Sequence, residues 1–423
     1  MHNAAIVAKV DSVRKHPNAD RLQIASILGT QVVVGLDTQA GDIGIYFDSN
    51  LQLSEEFATA NNLIRIKNED GTMSGGMFDT NRRVRAMNLR GVKSDGFYCP
   101  MSYFAFIDDP KIMSLPLGAA LTYWQRADGE NFPICNKYVT PQTARAIAAR
   151  EHNKPRENKV LNFPEHFDTE QYRYNKDKIT PNSFLIITEK LHGTSMRYGN
   201  VAHTRKLTWK EKIAQFFGIP VSTIEYKHVN GTRRVVMADN HTGYYSNEQF
   251  RYNATNGITL KEDEIIYGEL VGYTTTGAAI MGDHDPSKVS KEFAKLYPKT
   301  MRYVYGTAQG ECKLFVYRVT QDGKDLSWFQ IVARCKELGL NHVPVLWYDI
   351  VKDGIELEQI NVLIEQFAQG VSTLDRSHVR EGVCIRIENE TGMTVLKEKS
   401  YEFKVMEGIV KSNDDFVDTE EIA

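Results

Sequence analysis

The sequence has little cysteine and no pattern in what it has. The five cysteines among 423 residues (Cys99, Cys135, Cys312, Cys335, Cys384) are far apart, and none belongs to a Cys-x-x-Cys pair. An odd, scattered set argues against a disulfide framework and against a zinc site, and points to reduced thiols in a cytoplasmic setting. No run of about 18 apolar residues occurs, so no membrane-spanning helix is expected. The start, Met1-His2-Asn3-Ala4-Ala5-Ile6, lacks the basic and apolar regions of a signal peptide. An excess of charge of either sign is lacking as well: 51 Lys and Arg nearly balance 54 Asp and Glu, for a net charge of -3. That excludes a globally basic nucleic-acid binder while leaving room for a local basic face. There is no internal repeat. What remains is ordinary for a globular chain, 42% hydrophobic and 25% charged, and long enough for two or more domains.

Residues 1–135 are rich in short β-like runs, such as Ala5-Ile6-Val7-Ala8-Lys9-Val10 and Gln31-Val32-Val33-Val34-Gly35. Turn residues separate these runs every eight to twelve or so positions, a spacing that predicts a small β-barrel. Residues 136–165 read as a linker: a short helix over 143–150, then a polar stretch around Pro155. From 166 to 411 strands alternate with occasional helices. Apolar spacing predicts helices over 327–338 and 356–367. The tail, 412–423, is acidic and is expected to be disordered. The stretch 274–310 has no role that the sequence explains.

The chemistry concentrates on Lys190. It lies in Glu189-Lys190-Leu191-His192-Gly193-Thr194-Ser195, directly after the apolar run Phe184-Leu185-Ile186-Ile187. That reads as a buried strand handing one lysine to a glycine-containing turn. Three charged clusters follow in strand-like contexts: Tyr267-Gly268-Glu269-Leu270, Arg380-Glu381-Gly382-Val383 and Leu396-Lys397-Glu398-Lys399. A lysine attacks phosphorus only as the neutral amine, so its ordinary pKa of about 10.4 must fall or its proton must leave on the way. Glu269 and Glu381 are hard oxygen ligands of the kind magnesium takes, directly or through water. Lys397 and Lys399 stand at alternate strand positions, which puts both on one face as partners for phosphates. Gly193 and Gly382 leave room for close backbone approach. Each fragment alone has a plain reading as a solvated charge; the ordered set suits a nucleoside triphosphate and a metal.

That order resembles the covalent nucleotidyltransferases, the superfamily of ATP-dependent ligases and capping enzymes. Within it, Glu-Lys-Leu-His-Gly-Thr-Ser is similar to the nick-sealing RNA ligases of Lys-x-His-Gly type. The run Leu314-Phe315-Val316-Tyr317-Arg318-Val319 resembles the family's adenine-stacking strand, and the match extends over about 185–405. The resemblance implies an α+β fold: an adenylation domain of antiparallel sheets with flanking helices, preceded by an all-β OB-fold barrel. It implies ATP and Mg2+ (or Mn2+) as cofactors and Lys190 as the adenylated nucleophile. Glu269 and Glu381 would organise the metal, and Lys397 and Lys399 would hold phosphates. Glu189, Leu191, His192, Gly193 and Ser195 would surround the nucleotide, with Tyr317 or else Phe315 stacking on adenine. One departure stands out. The basic residue that usually follows the nucleophile strand is missing from 235–240, with Arg197 or Arg234 as substitutes. His16-Pro17-Asn18-Ala19-Asp20-Arg21-Leu22 and residues 89–96 resemble the OB-fold tRNA-binding domain of some aminoacyl-tRNA synthetases. There Arg82, Arg83, Arg85, Arg90 and Lys93, near Phe97 and Tyr98, would form a nucleic-acid-binding surface. The expected activity joins 3′-OH and 5′-phosphate RNA ends, at nicks in duplexes; an RNA–DNA hybrid or tRNA also fits as partner. A viral source acting in host cytoplasm fits equally. The rivals are a DNA ligase, a capping guanylyltransferase, or an RNA-binding protein that kept the fold without catalysis.

Overall fold

The computed structural model describes residues 3–126, 128–152, 162–237, 244–245, 247–352, 357–390 and 392–410. The tail expected over 412–423 lies outside them. Strands β1 (Ala5–Lys15), β2 (Leu22–Ile27), β3 (Thr30–Gly35), β4 (Ile43–Phe47) and β5 (Phe97–Pro100) form an antiparallel sheet in the order β5-β4-β1-β2-β3. Strand β1 serves two halves. Its start pairs with β4 and its end with β2, and the register shifts between Val10 and Ser12, where the sheet curls. One side of the curl encloses Val10, Ala25, Ile27, Val32 and Tyr46, while Val7, Ile45 and Phe47 enter a neighbouring core with Phe57 and Phe104. This is an OB-like half-barrel.

The linker stretch is partly built. It carries α1 (Pro141–His152), and Phe163 is buried beneath Arg197. Residues 153–161 are not among those described.

Two further antiparallel sheets carry the site. The first contains β6 (Phe184–Lys190), the second β7 (Thr194–Thr204), β8 (Ile224–Gly231), β9 (Glu264–Gly272) and β10 (Cys312–Gln321). The first sheet is completed by β11 (Val345–Ile350), β12 (Gly382–Asn389) and β13 (Gly392–Lys399). Its order is β13-β12-β6-β11, with a short strand at Glu170–Gln171 beyond β13. The second runs β8-β7-β9-β10. The apolar run of β6 is continuous because both faces are covered. Ile186 enters the main core, while Leu185 and Ile187 enter a second core. Burying each of these side chains contributes about 1.5–3 kcal/mol.

The helices include α2 (Trp209–Phe216), α3 (Trp328–Leu338), α4 (Leu357–Ala368) and α5 (Tyr401–Val410). Helices α3 and α4 fall where apolar spacing placed them. A capping box of Ser327 and Gln330 opens α3, and Gly339, left-handed at φ 66, ends it. Ile360, Ile364 and Ala368 of α4 cover the second core beneath β6 and β12.

The half-barrel is bolted to the sheets by buried charges. Lys404 of α5 reaches Asp95 at 2.8 Å, and Arg173 reaches Glu398 of β13 at 2.7 Å and Asp95 at 3.4 Å. Tyr174 donates its hydroxyl to Asp48 at 2.9 Å.

Candidate active site

Strand β6 ends at Lys190, and after three intervening residues the chain enters the other sheet as β7. Lys190 therefore stands where the two sheets meet. Gly193 makes this crossing possible, because a Cβ there would lie 2.3 Å from the Leu270 carbonyl oxygen. The neighbouring rung pairs Lys190 with Gly382, and Gly382 with Lys399. A Cβ on Gly382 would meet the Glu398 carbonyl oxygen at 2.1 Å. The two glycines permit the tight assembly around the lysine.

The Lys190 ammonium lies 2.7 Å from Glu381 Oε1, and Lys399 Nζ lies 3.3 Å from the same oxygen. Glu381 is fully buried. Burial alone would raise its pKa, but Lys190 and Lys399, with His192 at 3.6 Å, outweigh burial and hold the carboxyl well below the usual range. Lys399 is also held by both carboxylate oxygens of Glu407 in α5, at 2.9 Å each.

A cavity opens beside Lys190, lined from both sheets. Thr188, Cys384 and Lys397, one rung of the first sheet, face Ser195 and Glu269 of the second. Tyr317 and Arg318 close one side, and His166 packs on Tyr317 with ring centroids 5.0 Å apart. Burial first, then Arg318 and Arg233, push the His166 imidazole down to about 3. Glu189 also lines the cavity. Its Oε2 accepts hydrogen bonds from the Thr373 backbone N–H at 2.9 Å and hydroxyl at 2.6 Å, while its buried Oε1 has no hydrogen-bond partner among the described residues.

Of the residues singled out from sequence, the structure gathers Glu189, Lys190, Leu191, Ser195, Glu269, Tyr317 and Lys397 around this cavity. Others stand elsewhere. Glu381 is occupied by the lysines behind the cavity wall, so it is not placed as a direct metal ligand. The ammonium of Lys399 is drawn to two buried carboxylates, and the two lysines of β13 diverge instead of sharing one phosphate face. His192 is buried within an aromatic cage of His284, Tyr303 and Phe403, and its backbone N–H donates to the Tyr305 hydroxyl at 2.7 Å. Phe315 belongs to the main core. The alternation that paired Phe315 with Tyr317 fails at a bulge: Gly268 pairs with Val316 and Tyr267 with Arg318, leaving Tyr317 as the extra residue. The consecutive residues Tyr317 and Arg318 consequently both reach the cavity.

The basic cluster of the half-barrel is also dispersed. Arg83 is only 4% exposed; it donates to the Gly408 carbonyl at 2.6 Å and stacks on Tyr138. Arg85 pairs with Asp79, Arg82 with Glu55 at 3.6 Å, and Lys93 with Glu402 at 2.7 Å. Arg90 sits in the turn between the strands Ala86–Leu89 and Val92–Asp95. Phe97 and Tyr98 are core residues.

Sequence reasoning missed His166, Arg233, Arg318, Cys384 and Arg386 as cavity residues. Alternation from Gly382 along β12 was a signal for Cys384 and Arg386; nothing local marked His166. Arg197, one suggested substitute for the missing arginine, is buried and donates to the Phe163 carbonyl at 2.9 Å. It is Arg233, paired with Asp168, that lines the cavity. The stretch 274–310 gains a role: His284, Tyr303 and Tyr305 brace the Lys190–Gly193 turn from behind.

Three kinds of likeness bear on this geometry. A profile of the RNA ligase family matches residues 183–406, and one of an OB-fold domain matches residues 4–101. No curated protein sequence matches significantly. Among solved structures the chain is similar to Naegleria gruberi RNA ligase in several states. A mutant with ATP and Mn superposes with a TM-score of 0.54 at 15% identity, covering 95% of this chain and 98% of the other. A second mutant with AMP and Mn gives 0.55 at 14% identity, covering 98% and 99%. The enzyme with PPi gives 0.55 at 15%, covering 98% and 100%. At such identity the superpositions speak for the fold, which they match from end to end. The family profile spans more than half of the chain and takes in the residues that surround Lys190, apart from the strap at His166: the protein belongs to the RNA ligase family.

Proposed function

We propose that this RNA ligase is ATP-dependent and works through a covalent AMP on Lys190. The observation that carries the reading is the position of the Lys190 amine. It stands 2.7 Å from Glu381, at the edge of a cavity that also presents Glu269, Lys397 and the ring of Tyr317. Glu189 Oε1, a buried acceptor with no partner among the described residues, suits a donor such as the exocyclic amino group of adenine. The Naegleria gruberi structures with ATP, AMP and PPi support the same reading.

In the first step the Lys190 ammonium releases a proton to water, its Nζ bonds to the α-phosphorus, and the bond to pyrophosphate breaks. Glu381, held ionised, fixes the direction of the amine. Lys397 stands in the cavity to receive phosphate oxygens. AMP then passes to a 5′-phosphate end, for which we assign Arg233, one of the arginines that line the cavity, as the contact. A 3′-hydroxyl attacks that end and AMP leaves. Orientation and charge complementarity account for most of the acceleration in such transfers. A divalent metal, magnesium or manganese, would supply charge neutralisation on the phosphoryl group. Of the two carboxylates that line the cavity, Glu189 and Glu269, Glu269 is the one we assign to the metal. The described residues contain no cluster of three His, Cys, Asp or Glu, which fits a magnesium that keeps water and phosphate oxygens as its other ligands. Nicked duplex RNA is the substrate we favour, with 1–135 as the nucleic-acid-binding domain and 166–411 as the adenylation domain.

The test is incubation with α-labelled ATP and magnesium, followed by denaturation. Label should appear on the wild-type protein, be released by pyrophosphate, and be absent from Lys190→Ala. An adduct of equal yield on Lys190→Ala would refute the assignment.

A further inference from the structure

Helix α2 buries none of its eight residues. A helix this short is marginal by itself, and most helical stability comes from packing an apolar face. Its capping box is intact, with Thr208 and Glu211 bonding reciprocally. Its apolar face, by contrast, lies open. Trp209 is 69% exposed, Phe216 85% and Phe217 73%, and Ile213 between them is exposed as well. Tyr226, on the adjacent edge strand β8, adds another open ring.

Charge surrounds these rings. Arg205 is paired with Glu211 and Lys227 with Glu225. Lys206, Lys210 and Lys212 have no carboxylate partner among the described ion pairs, on a chain whose net charge is -3. Exposed rings interleaved with unneutralised lysines fit the backbone of an RNA helix: the lysines meet phosphates while the rings cover sugar faces across the wide, shallow minor groove.

We propose that α2 and the following Phe217 form a remote docking surface for the RNA duplex whose nick lies at Lys190. This rests on the ligase reading above. Position adds a constraint. Strand β7 begins beside the cavity at Ser195 and ends at Thr204, just before α2. Nine steps of about 3.3 Å place its far end roughly 30 Å from the cavity. At roughly 2.8 Å per base pair, the shorter rise of an A-form RNA helix, that is about eleven base pairs from the nick. The surface therefore touches only duplexes whose arm reaches that far.

The experiment compares the wild type with Lys206→Glu/Lys210→Glu/Lys212→Glu and with Phe216→Ala/Phe217→Ala. Binding and sealing are measured on nicked RNA duplexes with arms of about 6 and about 20 base pairs, chosen to fall short of and beyond the expected docking point. Both variants should bind the long-arm duplex about tenfold more weakly or worse. The lysine variant should also show a shallower salt dependence, by roughly one unit for each lysine–phosphate pairing removed. Short-arm binding and the ATP adduct should be unchanged in both. Unchanged long-arm affinity in both variants overturns the proposal. So does an equal weakening on short and long arms. If the wild type instead sediments with anionic vesicles, or self-associates, and these substitutions abolish that without altering RNA affinity, the face belongs to a lipid surface or a second copy. Absence of the ATP adduct in the wild type would strike at the ligase reading rather than at this surface.

Discussion

The hydroxyl of Tyr305 accepts a hydrogen bond from the His192 backbone N–H, two residues beyond Lys190. Removing that hydroxyl by Tyr305→Phe leaves a buried donor without this acceptor, at a cost of about 1–3 kcal/mol. Thermal unfolding should shift down accordingly, and adduct formation should slow as the turn loosens; an unchanged rate would show that Tyr305 does not position Lys190. Lys190 itself was legible from sequence, because an apolar run ending in Lys-x-His-Gly is a local signal. The work of His192 was not. Its cage comes from His284, Tyr303 and Phe403, which are contributed by distant segments. Arg83 shows the same limit. Its carbonyl partner at Gly408 is 325 residues away, and without that partner a basic run reads as a surface.

Strand β13 and helix α5 show how one element divides two lysines between tasks. Lys397 faces the cavity, and Lys399 is anchored by Glu407. Lys397→Ala should abolish or severely slow adduct formation while leaving the unfolding temperature nearly unchanged. Lys399→Ala should lower both, because it leaves the buried carboxylates of Glu381 and Glu407 short of a cation, a destabilisation on the order of 3–5 kcal/mol. Parallel adduct assays and thermal melts decide it; equal effects of the two substitutions would contradict the divergence of the two side chains. At this scale the strands and helices were readable from periodicity, since β6, β12, α3 and α4 obey it. The bulge at Tyr317 was not readable, because one extra residue in β10 is defined only by its pairing with β9.

Over the whole molecule, buried titratable groups set the pH response. His166 and His284 are both pushed down to about 3, by burial first and then by basic neighbours, Arg318 and Arg233 for the one and His192 for the other. An unfolded histidine titrates near 6.5 or so. Between those values the unfolded chain holds protons that the fold refuses, so stability falls as pH drops, by on the order of 1 kcal/mol per pH unit for each group. Glu381, Asp95 and Glu398 have depressed pKa values. Their contribution is complete above the ordinary carboxylate range and is lost as pH falls through their folded values. Melting temperature should therefore decline below about pH 6.5, the histidines acting first. His284→Phe should flatten the upper part of that decline; a melting temperature that stays level from about pH 7 to about pH 4 would rule the scheme out. The two-domain plan was legible in composition and motif order. The charge network between the domains was not, since Asp95, Arg173, Glu398 and Lys404 meet only in the folded chain.

That network also has a consequence for synthesis. A chain emerging from the ribosome releases residues 4–101 long before α5 exists, and domains generally fold in that order. The nascent half-barrel must then wait with Asp95 short of both its cations, because Arg173 comes later and Lys404 later still. Until α5 is released, Lys399 also lacks Glu407. The lysines around Glu381 thus acquire their final arrangement only after α5 has emerged and docked, some two hundred residues after Lys190 itself.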